Sequence, residues 1–99
     1  MKAVLFRAAA EADVSEAYVW YERQRPGLGA EFRDELRATL ERIAEGPQVF
    51  QVVHRDTRRA PMRRFPYSVF YRVYPESIIV IACMRGRRSP TRWQSRTEG

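Results

Sequence analysis

The chain changes its hydrophobic period twice. Lys2-Ala3-Val4-Leu5-Phe6 is a short apolar run and reads as a strand. Val14, Ala17, Tyr18 and Tyr21 then fall at i, i+3, i+4 and i+7, one face of a helix. Glu11, Asp13, Ser15 and Glu16 lie near its start, where the helix dipole favours negative charge, and Glu22 and Arg23 belong to its wet face. Arg25-Pro26-Gly27-Leu28-Gly29 breaks the pattern. A second helical stripe follows in Phe32, Leu36, Leu40 and Ile43, interleaved with acids and arginines, and Gly46-Pro47 ends it. So short a connection predicts an antiparallel helical hairpin.

From Pro47 the period is two. Residues 48–57 are ambiguous, with a short strand over Val49 to Val53 and then a loop. Ala60 to Phe65 reads as a strand, Pro66-Tyr67 as a bend, and Ser68 to Tyr74 has the aromatic and β-branched composition of a strand. After a turn at Pro75-Glu76-Ser77, Ile78 to Cys83 reads as a central strand, apolar on both faces. The tail after Pro90 carries Arg92 and Trp93, and its last few residues are expected to fray. The sum is an α+β fold, β-α-α-β-β-β, with a helical hairpin on one face of a small, mostly antiparallel sheet. Val69, Tyr71 and Val73 are placed against the helices; Phe70, Arg72 and Tyr74 fall on the open face.

At 99 residues the chain is expected to form one domain, 1–99. The longest apolar run, Ile78 to Met84, is too short to cross a bilayer, and no secretory signal is expected from Lys2 to Arg7; the expected compartment is the cytoplasm, with no membrane partner. Charge is divided unevenly. Residues 1–49 hold seven basic and nine acidic side chains, residues 50–99 eleven basic and three acidic. A basic half suits a polyanion or an acidic protein partner.

Ready-made chemistry is sparse. One cysteine, Cys83, sits in the most apolar strand, and one histidine, His54, sits in a loop. Neither a disulfide nor a Cys/His zinc site follows, and no metal or cofactor is expected. The remaining constellation is cationic: Arg58, Arg59, Arg63, Arg64, Arg72, Arg85, Arg87, Arg88 and Arg92, whose guanidinium forks grip phosphate or carboxylate but do not act as bases. Phe70, Tyr71, Tyr74 and Trp93 are interleaved with them and serve either as stacking platforms or as core.

Three pieces carry a family resemblance: Ala12-Asp13-Val14 through Ala17 and Tyr21 with Gln24 to Gly29 and Phe32; Arg64-Phe65-Pro66-Tyr67-Ser68-Val69-Phe70-Tyr71-Arg72-Val73; and Ile79 to Ala82 followed by Arg87-Arg88, Pro90 and Trp93. In this order they resemble the ParE/RelE superfamily of type II toxin–antitoxin toxins, on the ParE side, often labelled plasmid stabilisation proteins. The resemblance implies a helical hairpin on a small antiparallel sheet and a cognate antitoxin whose C-terminal segment wraps the toxin.

Two readings of activity follow from it. A ParE-like toxin would poison DNA gyrase by binding, with Arg72, Arg85, Arg87, Arg88, Arg92 and Trp93 as the surface for target or antitoxin. A RelE-like toxin would be a ribosome-dependent mRNA endoribonuclease, with Arg63, Arg64, Arg72 and Arg85 on phosphates and leaving group and His54 as base. A third reading keeps fold and antitoxin binding without toxicity. The chain departs from the family pattern at Arg85, where His is common, and at Ser89, where Asp is common. RelE-like ribonucleases commonly carry a Tyr or His near the C-terminus; here no Tyr follows Tyr74 and no His follows His54.

Overall fold

The computed structural model describes residues 2–85 and 91–97. The hairpin is present as α1 (Ala8–Gln24) and α2 (Leu28–Glu45), preceded by β1 (Ala3–Phe6) and followed by β2 (Gln51–His54), β3 (Thr57–Pro61), β4 (Tyr67–Val73), β5 (Ser77–Arg85) and α3 (Thr91–Thr97). The five strands form one sheet in the order β1-β5-β4-β3-β2. Only the β1–β5 pair is parallel.

Two details of the hairpin lie outside its apolar stripes. Gly27 enters α2 with φ of 92°, a left-handed conformation open to glycine. The Glu22 carboxylate, expected on the wet face, instead reaches across from α1 and accepts the N–H groups of Gly27 and Gly29, both at 2.9 Å. A side chain from one helix thus satisfies orphan donors at the start of the next. Gly29 leaves no room for more: a Cβ there would sit 2.8 Å from the Tyr18 ring.

The hairpin packs Ala17, Tyr21, Phe32, Leu36 and Ile43 onto Val69, Tyr71, Ile78, Val80 and Cys83, and Val73 lies against that cluster as expected. Phe70 pairs with Ala82 while Tyr71 pairs with Val80, so Ile81 is an extra residue on β5. This bulge re-phases β5, so that Ile78, Val80 and Cys83 join Val69 and Tyr71 toward the helices while Ile81, Ala82 and Met84 join Phe70 on the opposite face.

Three expectations are corrected. The ambiguous stretch after Pro47 forms β2 at Gln51–His54, two residues later than expected at its start, so four strands follow the hairpin. The strand expected over Ala60 to Phe65 is β3 at Thr57–Pro61. Residues 62–66 are the hairpin connection instead, closed by the Met62 N–H on the Tyr67 carbonyl, and Phe65 turns into the core between Tyr21 and Phe32. Finally, the tail, to which no helix is assigned from sequence, contains α3, which covers the Phe70 part of the face expected to be open. Trp93 stacks on Phe70 with centroids 4.5 Å apart and planes 20° from parallel, beside Ile81, Ala82 and Met84. No helix among the described residues is long and apolar enough to cross a membrane.

Candidate functional site

A cleft of about 380 Å³ lies between α1 and the end of β5, and its lining includes Asp13, Glu16, Trp20, Tyr67, Arg85 and Arg92. Local sequence explains each wall. Trp20 lies one residue off the buried Ala17–Tyr21 stripe of α1, so its indole stands at the rim, 49% exposed, in edge contact with the Tyr21 ring. Val19 beside it is 44% exposed, and a shallow depression on the far side of Trp20 continues to Arg23. Arg85 ends β5 opposite Tyr67, and its guanidinium carbon lies 5.7 Å from the Trp20 ring centre and 6.0 Å from that of Tyr67. A guanidinium held over aromatic faces is both attracted to the rings and available to an incoming acid.

The floor is fixed by Asp13. Its Oδ2 accepts from Arg96 Nη1 at 2.6 Å and from the Cys83 N–H at 3.0 Å, and its Oδ1 accepts from Arg96 Nη2 at 3.2 Å. Arg96 Nη1 also donates to the Ile81 carbonyl, and Arg7 donates to the Arg96 carbonyl. One carboxylate therefore joins α1, β5 and α3, and sets the helix that carries Arg92 along the cleft wall.

Three groups with acidic protons, Cys83, Tyr71 and Tyr21, are buried and held in their neutral forms. Burial, then the neighbouring Asp13 charge, pushes the Cys83 thiol up to about 12. Burial pushes the Tyr71 phenol up to about 12 against the opposing Arg58, and burial also raises Tyr21. These are core groups, not nucleophiles. Among the described residues no three His, Cys, Asp or Glu side chains are grouped to hold a metal ion.

The residues named from sequence do not converge. Arg85 and Arg92 line the cleft. Arg63 and Arg64 are exposed on the β3–β4 connection, where Arg64 pairs with Glu31 at 2.9 Å. Arg25 and Arg64 together hold the Glu31 carboxyl below its usual range through their hydrogen bonds. Arg72 lies opposite Ile79, five positions along β4 from Tyr67 and Arg85, which is about 17 Å of strand. His54 pairs with Thr57 at that same far end, with its ring 6.1 Å from Trp93. Trp93 is only 8% exposed and packs in the second core. Arg87 and Arg88 lie outside the described residues.

Trp20, Asp13, Glu16 and Tyr67 escaped the sequence reading as site residues. Trp20 alone carried a signal, a large apolar residue off the helix stripe; the others acquire their place only through β5 and α3.

The sequence matches the family model described as ParE toxin of type II toxin-antitoxin system, parDE, over residues 4–90. The chain belongs to the ParE toxin family. Among solved structures this ParE-family toxin is similar to a chain described as the chromosomal ParDE TA system from P. aeruginosa. The TM-score is 0.72 at 19% identity, over 86% of this chain and 96% of that one, a likeness of fold. No curated protein matches the sequence. The match runs from β1 to the residues just before α3, so it takes in most of the cleft and stops short of the helix that carries Arg92 and Arg96.

Proposed function

We propose that this ParE-family toxin acts by binding rather than by cleaving RNA: it poisons DNA gyrase, and a cognate antitoxin silences it by seating a segment in the α1–β5 cleft. The observation that carries the reading is the division of the arginines and the histidine between two ends of the sheet. Acid–base cleavage needs a base and its phosphate-holding cations around one reacting group. Here Arg63, Arg64 and Arg85 are about 17 Å of strand away from the level of Arg72 and His54. Binding asks for less. A half-exposed Trp20, with an Arg85 guanidinium near its ring and Arg92 in the same cleft, offers an aromatic anchor flanked by two cations. The partner segment that fits is amphipathic, with an apolar side chain against Trp20 and carboxylates toward Arg85 and Arg92.

The test is supercoiling of relaxed plasmid by purified gyrase, with and without the toxin freed of its antitoxin. Inhibition with trapped cleaved DNA is the expected result. Folded toxin that rebinds antitoxin, leaves gyrase untouched and cuts ribosome-bound mRNA would replace the reading with the endoribonuclease. The cleft is tested separately: Trp20→Ala and Arg85→Gln should each weaken antitoxin binding at least about tenfold, the ordinary loss at an interface anchor.

A further inference from the structure

A second depression, of about 260 Å³, lies at the β3–β4 end of the sheet, and its lining includes Arg59, Phe65, Pro66, Tyr67, Ser68 and Arg85. Its charge sets it apart. The α1–β5 cleft includes Asp13 and Glu16, and the cleft beside Arg72 includes Asp56. The lining of this one includes Arg59 and Arg85 around an apolar floor and, among the described residues, no acid.

Arg59 is built into position. It lies on β3 opposite Phe70, and its Nε donates to the Ser68 hydroxyl at 2.9 Å, while Ser68 itself is buried. The bond engages the inner nitrogen of the guanidinium, not the outer edge of the fork. That outer edge matches two oxygens of a tetrahedral anion. Arg85 closes the other side from β5. Arg63 and Arg64 are exposed on the adjoining connection, and Arg92 lies beyond Arg85 on the α1–β5 side. The acids nearest this end are on α2: Glu31 is taken by Arg25 and Arg64, and Glu35 accepts the Arg63 N–H at 3.4 Å. Cations that follow one another along an edge suit a ligand whose anions repeat along a chain.

We propose that the Arg59–Arg85 depression is a phosphodiester-binding site through which the toxin contacts a nucleic-acid backbone directly. One phosphate sits on the Arg59 fork, with its neighbours along the chain reaching Arg85 and Arg63. The contact is sequence-independent, because nothing in the depression reads a base edge. The site differs from the docking cleft, shares only the Tyr67 and Arg85 wall with it, and does not depend on gyrase being the target. If gyrase is the target, the phosphates are those of the DNA it holds.

The test is fluorescence anisotropy of a short labelled DNA duplex with antitoxin-free toxin, between about 50 and 200 mM salt. Arg59→Gln and Arg85→Gln should each weaken binding about three- to tenfold and lower the salt slope by about one. Arg37→Gln, the same charge change on the exposed face of α2, should leave the slope within about half a unit of wild type. Arg59→Lys, with its fold checked by circular dichroism, should keep the slope, since it keeps the charge. Single-stranded RNA of equal length assigns the source of the phosphates: whichever polymer binds more tightly in an Arg59-dependent way is the backbone recognised. The proposal is overturned if neither polymer binds at the lowest salt, or if Arg37→Gln costs as much as Arg59→Gln. It is also overturned if a polyglutamate peptide binds more tightly than both polymers and is the ligand that Arg59→Gln releases. None of these readouts uses gyrase, so a negative supercoiling result leaves the site to be judged on its own.

Discussion

Removing the Arg96 guanidinium tests how the second face of the sheet is closed. In Arg96→Ala the carboxylate of Asp13 loses both Nη donors and keeps only the Cys83 N–H, and the Ile81 carbonyl loses a donor. The pair is neither surface nor core, with side chains 26% and 12% exposed for Arg96 and Asp13. Exposed pairs are worth up to about 1 kcal/mol, and stranding one charge of a buried pair costs about 3–5 kcal/mol; this geometry falls between them, at about 2 kcal/mol. A seven-residue helix has no stability of its own, so α3 stays in place only through such contacts. The loss should therefore appear first as local opening. Hydrogen exchange of the α3 amides should accelerate about thirtyfold, which is what about 2 kcal/mol represents, while the α1 and β4 amides change little. Should the loss pass instead to the whole domain, the melting temperature falls by about 10 °C. A cycle with Asp13→Asn isolates the pair, and Arg96→Lys, which keeps the charge but not the fork, should recover less than half of the coupling. A coupling below about 0.5 kcal/mol, together with unchanged α3 exchange, would refute the reasoning that this ion pair holds the helix down.

Three further outcomes follow from the packing. Trp20 and Trp93 are 49% and 8% exposed, so acrylamide should quench Trp20 and spare Trp93; in Trp20→Phe the remaining emission should be blue-shifted and protected. Gly29→Ala places a Cβ 2.8 Å from the Tyr18 ring and should cost about 1–3 kcal/mol in urea unfolding, as overpacking does. Stability should fall in alkali: the folded Cys83 thiol keeps its proton up to about 12, whereas the unfolded one ionises near 9, so the unfolded state sheds its proton first. The contribution is complete below pH 9 and is lost toward 12 at up to about 1.4 kcal/mol per pH unit. Cys83→Ala should flatten the slope between pH 9 and 10, before Tyr71 begins to add its own.

Local pattern was enough for the hairpin and for the faces of β4. Val14, Ala17 and Tyr21 and then Phe32, Leu36 and Ile43 repeat with the helical period, and Val69, Tyr71 and Val73 alternate with Phe70 and Arg72; these periods act between near neighbours and need no distant contact. The basic half of the chain was equally legible, as were the sparing use of cysteine and histidine and the three pieces shared with the ParE family. The strand over Ala60 to Phe65 was misplaced because Met62 and Phe65 are apolar in either reading, and only the hairpin bond to Tyr67 decides that Phe65 turns inward. What remained hidden was set by residues far apart in sequence. Asp13 and Arg96 meet across 83 positions, Phe70 stacks on Trp93, and Glu22 caps the helix after its own. A short helix such as α3 has no local signature, since its stability is tertiary. The separation of Arg72 and His54 from Arg63, Arg64 and Arg85 is likewise invisible in a list of arginines. It comes from strand register, which sets distance along the sheet and so decides which of those charges can act on one partner.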